Sequence, residues 1–171
     1  MLSHAQPPNT VSISYAQDEV TITAKSATRQ CNEYGKLGLA GSSIFYASGD
    51  DGVAGFGGCL LPNGTESAFG TRFNPEFPAS CPFVTAVGAT QVNPNSTVHD
   101  PESASEQVIF SGGGFSNIFQ RPSYQVDAIQ EYFEKHNPPF SDAQFNRSFS
   151  RGFPDVAANG ANYVIASKSE L

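Results

Sequence analysis

The stretch SSIFYASGDDGV (residues 42–53) runs from an apolar segment into a small-residue corner and then sets two carboxylates, Asp50 and Asp51, side by side. Within it, SIFYAS (43–48) has no polar alternation, as expected of a strand covered on both faces in a parallel sheet. Upstream, TVSISYA (10–16) carries the β-branched, alternating residues of a strand and follows the loop-forming Pro7-Pro8. Between the two, Val20, Ala24, Ala27, Cys31, Tyr34 and Leu37 recur at helical spacing, which predicts a helix over about 19–38 closed by Gly38 and Gly41. Strand, helix, strand is a right-handed crossover by default. Functional groups of such sheets gather beyond the carboxyl ends of the strands, and Asp50 stands at one of those ends.

The rest of the chain continues the alternation. CPFVTAVGATQV (81–92) reads as another buried strand, and SEQVIFSGGGFS (105–116) as an extended segment entering a glycine turn. Val126, Ile129, Tyr132 and Phe133 share one face of a helix predicted over 123–135, with Ser123 as its cap. FPDVAANG (153–160) reads as a turn-rich link organised by Asp155, and NYVIAS (162–167) as a terminal strand. With no repeat, low-complexity tract or linker, residues 1–171 are expected to form part of one α/β domain.

Charge narrows the partners. A net charge of -7 without clustered Lys and Arg argues against nucleic acid, and no apolar run approaches the length of a membrane span. MLSHAQPPNT has neither the basic start nor the apolar middle of a signal peptide. Yet Asn63, Asn95 and Asn146 each begin an N-glycosylation acceptor triplet in turn-rich sequence, which points to an extracellular parent protein. A secreted protein that starts without a leader predicts that Met1 is internal to a longer chain. Of the three cysteines, Cys59 and Cys81 flank a loop and are the expected disulfide, leaving Cys31 a buried free thiol in the first helix.

Several chemistries compete at this level. Asp50 and Asp51 lack the spaced oxygen ligands of an EF-hand, so a metal site is disfavoured against a solvated acid pair or a catalytic acid. GFGG (55–58) and SGGGFS (111–116) resemble phosphate cradles but lack the Lys-Ser/Thr of a P-loop, so tight turns or close backbone approach explain them better. His4, His99 and His136 have no Ser or Cys partner in sequence, and Glu131 and Glu134 read as a wet helix face.

Taken in order, VSISYA, FYASGDDGVAG, FNPEFPASCPFVTAVGAT, FSGGGFSNIFQRPSYQ and RGFPDVAANG resemble the central portion of the sedolisin family of serine-carboxyl peptidases, especially its tripeptidyl-peptidase branch. The resemblance covers nearly the whole chain. It implies a subtilisin-like parallel sheet with flanking helices, incomplete here, and peptide-bond hydrolysis at acidic pH by a Ser nucleophile assisted by Glu and Asp. Ser48-Gly49-Asp50 matches the family's Ser-Gly-Asp motif, which gives Asp50 the role of oxyanion-hole acid. A carboxylate would repel a developing oxyanion, whereas a protonated carboxyl group donates a hydrogen bond to it. Asp51 inherits no role.

The resemblance also places Ser14, Tyr15 and Ala16 beside the bound peptide as subsite-wall residues, with Ala16 standing where the family usually has Gly. The family's nucleophile lies in a Gly-Thr-Ser motif that occurs nowhere in this sequence, and its acid pair belongs upstream of the first strand. Its calcium site belongs downstream, so no cofactor is expected in this stretch. Asp18 and Glu19 follow the first strand and do not replace the acid pair, and Ser167 and Ser169 lack the nucleophile motif. The expectation is therefore a chain inactive by itself and poorly stable, acting on or binding peptides only as part of a larger peptidase. The alternative is a non-catalytic peptide-binding or decoy module; the absence of tryptophan disfavours a sugar-binding platform.

Overall fold

In the computed structural model, which describes residues 7–163, the first four residues of the TVSISYA stretch form β1 (Thr10–Ile13), and a separate two-residue strand, β2 (Gln17–Asp18), follows the stretch. A 3-10 turn (Glu19–Thr21) intervenes before α1 (Ala24–Leu39), so the helix starts five residues later than its apolar spacing predicts. Two local devices set that start. The Thr21 hydroxyl donates to the Asp18 carbonyl at 2.7 Å, closing the 3-10 turn, and the Thr23 hydroxyl caps α1 by accepting the Ser26 N–H at 3.2 Å. Gly41, at φ +91°, ends the helix in the left-handed conformation that a side chain resists.

The strands that follow are β3 (Ser43–Ala47), the hairpin β4 (Cys59–Leu60) and β5 (Glu66–Ser67), β6 (Glu76–Phe77), β7 (Thr85–Gln91) and β8 (Ser103–Ala104). Then come β9 (Gly114–Gln120), α2 (Val126–His136), β10 (Ser150–Phe153) and β11 (Val156–Asn159). The central sheet has the order β1-β3-β7-β11, all parallel, with β8 pairing antiparallel to β7. The short strands pair separately, β2 with β6, β4 with β5, and β9 with β10.

One face of α1 supplies the core. Ala27, Cys31 and Leu37 pack with Ile44 and Tyr46 of β3, Phe77, Val84 and Phe119. Phe77 is 1% exposed, and its truncation to Ala would cost about 3–5 kcal/mol in lost transfer energy and cavity formation. Tyr34 on α1 meets Tyr46 on β3 through their hydroxyls, 2.8 Å apart, with the rings edge to face. Among the described residues, no helix is long and apolar enough to cross a membrane.

Four expectations need correction. The disulfide joins Cys31 to Cys81, with Cα atoms 5.6 Å apart, and Cys59 is the free thiol. Cys59 is held in the β4–β5 hairpin, whereas Cys81 lies in the core against the inner face of α1. The supposed turn link FPDVAANG contains a strand, β11, that pairs along its length with β7. Extended structure expected over 105–116 is displaced toward β9, which starts only at Gly114. Ser123 opens a 3-10 turn (Ser123–Gln125), and α2 begins after Gln125 without a side-chain cap. Of the strand expected at 162–167, residues 164–167 lie outside the described residues, and Asn162 and Tyr163 are not in a strand.

Candidate active site

Asp50 emerges from β3 at the carboxyl edge of the sheet, and its side chain is exposed, as is that of Asp51. The register Ile13↔Tyr46 brings the end of β1 to the same edge, from which Ser14, Tyr15 and Ala16 lead on. Ser14 and Tyr15 are exposed, Tyr15 to 85%, and Ala16 is half-buried. No partner in the described structure covers that tyrosine ring.

The glycine run at 112–114 holds the Asp50 turn from behind. Gly112 N–H donates to the Gly49 carbonyl at 2.7 Å, Phe110 N–H to the Asp50 carbonyl at 2.9 Å, and Gly113 N–H to the Gly52 carbonyl at 3.0 Å. Gly52 N–H returns a bond to the Phe110 carbonyl at 2.9 Å. A Cβ on Gly112 would come within 2.6 Å of the Ser48 carbonyl carbon, so this approach requires glycine. Close backbone approach, as expected from the sequence, is what the SGGG run provides.

The second glycine run receives a carboxylate instead of backbone carbonyls. The Asp18 carboxylate accepts the backbone N–H groups of Phe56 and Gly57 at 2.8 and 2.9 Å, filling the GFGG cradle with a group of the chain itself. Glu66 lies against Asp18, and hydrogen bonding to it, followed by burial, pushes the Glu66 carboxyl above its ordinary range. Glu19 is buried and accepts from the Ser116 hydroxyl at 2.5 Å and Asn117 N–H at 2.6 Å. Burial raises its pKa against those bonds. Glu76, opposite Asp18 in the β2–β6 pair, is pushed up to about 7 by burial first and then by the charges of Asp18, Asp51 and Asp50.

These inward acids were not identified as a group from sequence. One signal existed: Glu76 is the sole formally charged residue between Arg72 and Asp100, in an otherwise apolar and small-residue run. Asp155 does organise its turn, but more strongly than expected. It takes a bidentate pair from the fully buried Arg151, at 2.7 and 2.5 Å, and accepts Ala86 N–H at 2.8 Å.

The acceptor asparagines Asn63, Asn95 and Asn146 are all exposed. Among the described residues, no group of three or more His, Cys, Asp or Glu could hold a metal ion. A cleft of about 1070 Å³ is lined by Phe83, Tyr124, Tyr132 and Phe153 among others, and does not include Asp50.

No family model matches the chain. Aorsin of Aspergillus oryzae is 44% identical over an alignment covering 97% of this chain and 28% of that protein. A tripeptidyl-peptidase of Aspergillus fumigatus is 40% identical over 95% of this chain and 27% of its own length. The chain belongs to the sedolisin family. It spans about a quarter of the length of the curated relatives it matches. Pseudomonas sedolisin, a serine-carboxyl proteinase solved with two molecules of pseudo-iodotyrostatin, superposes with a TM-score of 0.62. That match covers 88% of this chain and 38% of the other at 20% identity, and establishes the subtilisin-like α/β fold. Within the sedolisin fold, the β1-β3-β7-β11 sheet is the scaffold that carries the Ser48-Gly49-Asp50 turn.

Proposed function

We propose that this chain forms the oxyanion-hole side of a secreted, acid-acting peptidase, with Asp50 as the group that donates a hydrogen bond to the tetrahedral oxyanion. The observation that carries this reading is the exposed Asp50 side chain on a turn whose backbone is fixed by the 110–113 segment. A donor preorganised in this way need not be reoriented as charge develops, which is where such groups contribute most. Ser14, Tyr15 and Ala16 form a wall of the peptide subsite, because the β1–β3 register sets them at the same edge as Asp50. Peptides or proteins are the substrates. The 171-residue chain alone turns over none, since it contains no Gly-Thr-Ser nucleophile motif and an oxyanion donor supplies no covalent pathway. The exposed acceptors Asn63, Asn95 and Asn146, with the Cys31–Cys81 bridge, support an extracellular location.

The test starts with peptide mapping and intact mass of the natural protein purified from its source. Peptides reaching a Gly-Thr-Ser segment would identify the nucleophile-bearing polypeptide, and in it Asp50→Ala should lower kcat about a hundredfold or more with little change in KM. Asp50→Asn, which keeps a donor, should retain more activity. Unchanged kcat in Asp50→Ala would overturn the assignment. Peptide affinity without turnover in a protein that ends at Leu171 would favour the non-catalytic binding module.

A further inference from the structure

Glu76 is 3% exposed and lies beneath the Ser48-Gly49-Asp50 turn. Gly49 adopts φ +115°, and a Cβ added there would sit 2.6 Å from the Glu76 carboxyl carbon. The carboxyl group thus occupies the space into which any side chain at Gly49 would project, and the turn is folded directly onto it. The Asp50 backbone N–H faces the carboxyl group and favours its ionised form, while Glu76 Oε2 has no hydrogen-bond partner among the described residues. A buried carboxyl oxygen without a partner is costly when charged, and less so when the group holds a proton.

We propose that Glu76 is a positioning residue for Asp50, whose own proton keeps the Ser48-Gly49-Asp50 turn seated and whose ionisation displaces it. The groups that face Glu76 are all acids: Asp18 from β2, itself in contact with Glu66, and Asp50 and Asp51 from the turn after β3. Ionised Glu76 therefore adds a buried negative charge beside three carboxyl groups. Its titration, pushed up to about 7 by burial and then by those charges, sets where the displacement occurs. The functional part of this inference rests on the reading of Asp50 as the oxyanion donor; the coupling between Glu76 and the turn does not.

Two readouts separate the two claims. The first needs no turnover: NMR titration of the full natural polypeptide, following the Glu76 side-chain carboxyl carbon and the Gly49 and Asp50 backbone amides. The expected result is that both amides shift in a common step with the Glu76 carboxyl near pH 7, and that Glu76→Gln, neutral at every pH, abolishes the step. Amides that do not follow the Glu76 carboxyl in the unmodified protein would overturn the proposal whether or not the variant folds. So would a step that survives in Glu76→Gln. The second readout is peptidase activity: Glu76→Gln should raise the ratio of kcat/KM at pH 7 to that at pH 5 by about threefold or more over wild type. An unchanged ratio in an active enzyme would overturn the functional coupling. Loss of activity in Asp50→Ala without any effect on the NMR step would leave Asp50 in its role and Glu76 in its place, whereas an NMR step with full activity in Asp50→Ala would remove only the oxyanion reading.

Discussion

The Asp18 carboxylate holds the backbone of Phe56, accepting its N–H at 2.8 Å across 38 residues of sequence, and a second bond to Gly57 at 2.9 Å completes the clasp. Gly55 belongs to the same contact, because a Cβ there would fall 2.6 Å from Asp18 Oδ2. The glycines of this loop thus make room for a buried acid of the chain, and the loop is anchored to β2 by one side chain.

Asp18→Ala should therefore release the 51–70 segment. Two charge-assisted bonds and two buried donors are lost together, so a destabilisation of about 2–3 kcal/mol is expected from urea unfolding. Hydrogen exchange at Phe56 and Gly57 should accelerate more than at β7.

Reduction of Cys31–Cys81 removes a crosslink spanning 50 residues, worth about 4 kcal/mol in chain entropy. Cys31→Ser should lower the melting temperature as much as a reductant does. Cys59→Ser should leave it nearly unchanged, and thiol labelling of the unfolded, unreduced protein should modify Cys59 alone.

Asp155→Ala strands the guanidinium of Arg151, which is fully buried and whose Nε already lacks a partner. Gln125, which donates to the Gly152 carbonyl at 2.7 Å and to Asp155 at 3.1 Å, loses part of its network as well. Breaking such a pair on one side costs about 3 kcal/mol or more. The double variant Arg151→Met, Asp155→Ala should recover part of that loss, measurable as a coupling energy in a double-mutant cycle.

Stability should be greatest in acid. The folded-state pKa of Glu76 is raised to about 7 from an ordinary 4.5, so across that interval the folded chain holds a proton that the unfolded chain has released. Its contribution is fully present below the unfolded value and is lost as pH rises through the folded one. Glu19 and Glu66 are shifted in the same direction. For Glu76 the loss is on the order of 2 kcal/mol after allowance for solvent screening. Melting temperatures measured between pH 4 and pH 8 should fall with rising pH, and less steeply in Glu76→Gln.

The parts of the fold that sequence revealed are those whose apolar pattern matches their local period. The α1 face of Ala27, Cys31 and Leu37 and the unbroken run of β3 are examples. β11 was hidden because Val-Ala-Ala-Asn follows Pro154-Asp155 and resembles a turn; its extended form comes from pairing with β7, which no local pattern encodes. The disulfide was misassigned for a related reason, since the loop between Cys59 and Cys81 suggested proximity while the helix face carried Cys31 to the partner. The position of Asp50 at the carboxyl edge of the sheet was legible because strand ends are predictable from sequence. The inward acids Asp18 and Glu19 were not, because acids in short turn-like segments carry no mark of facing inward, and Glu76 offered only its isolation among apolar and small residues.

The chain has no tryptophan, so its absorbance near 280 nm comes mainly from six tyrosines. Among them, Tyr34 and Tyr46 link α1 to the central sheet through paired hydroxyls. The difference spectrum between the unmodified protein and Tyr34→Phe therefore makes a label-free optical gauge of whether that helix is docked.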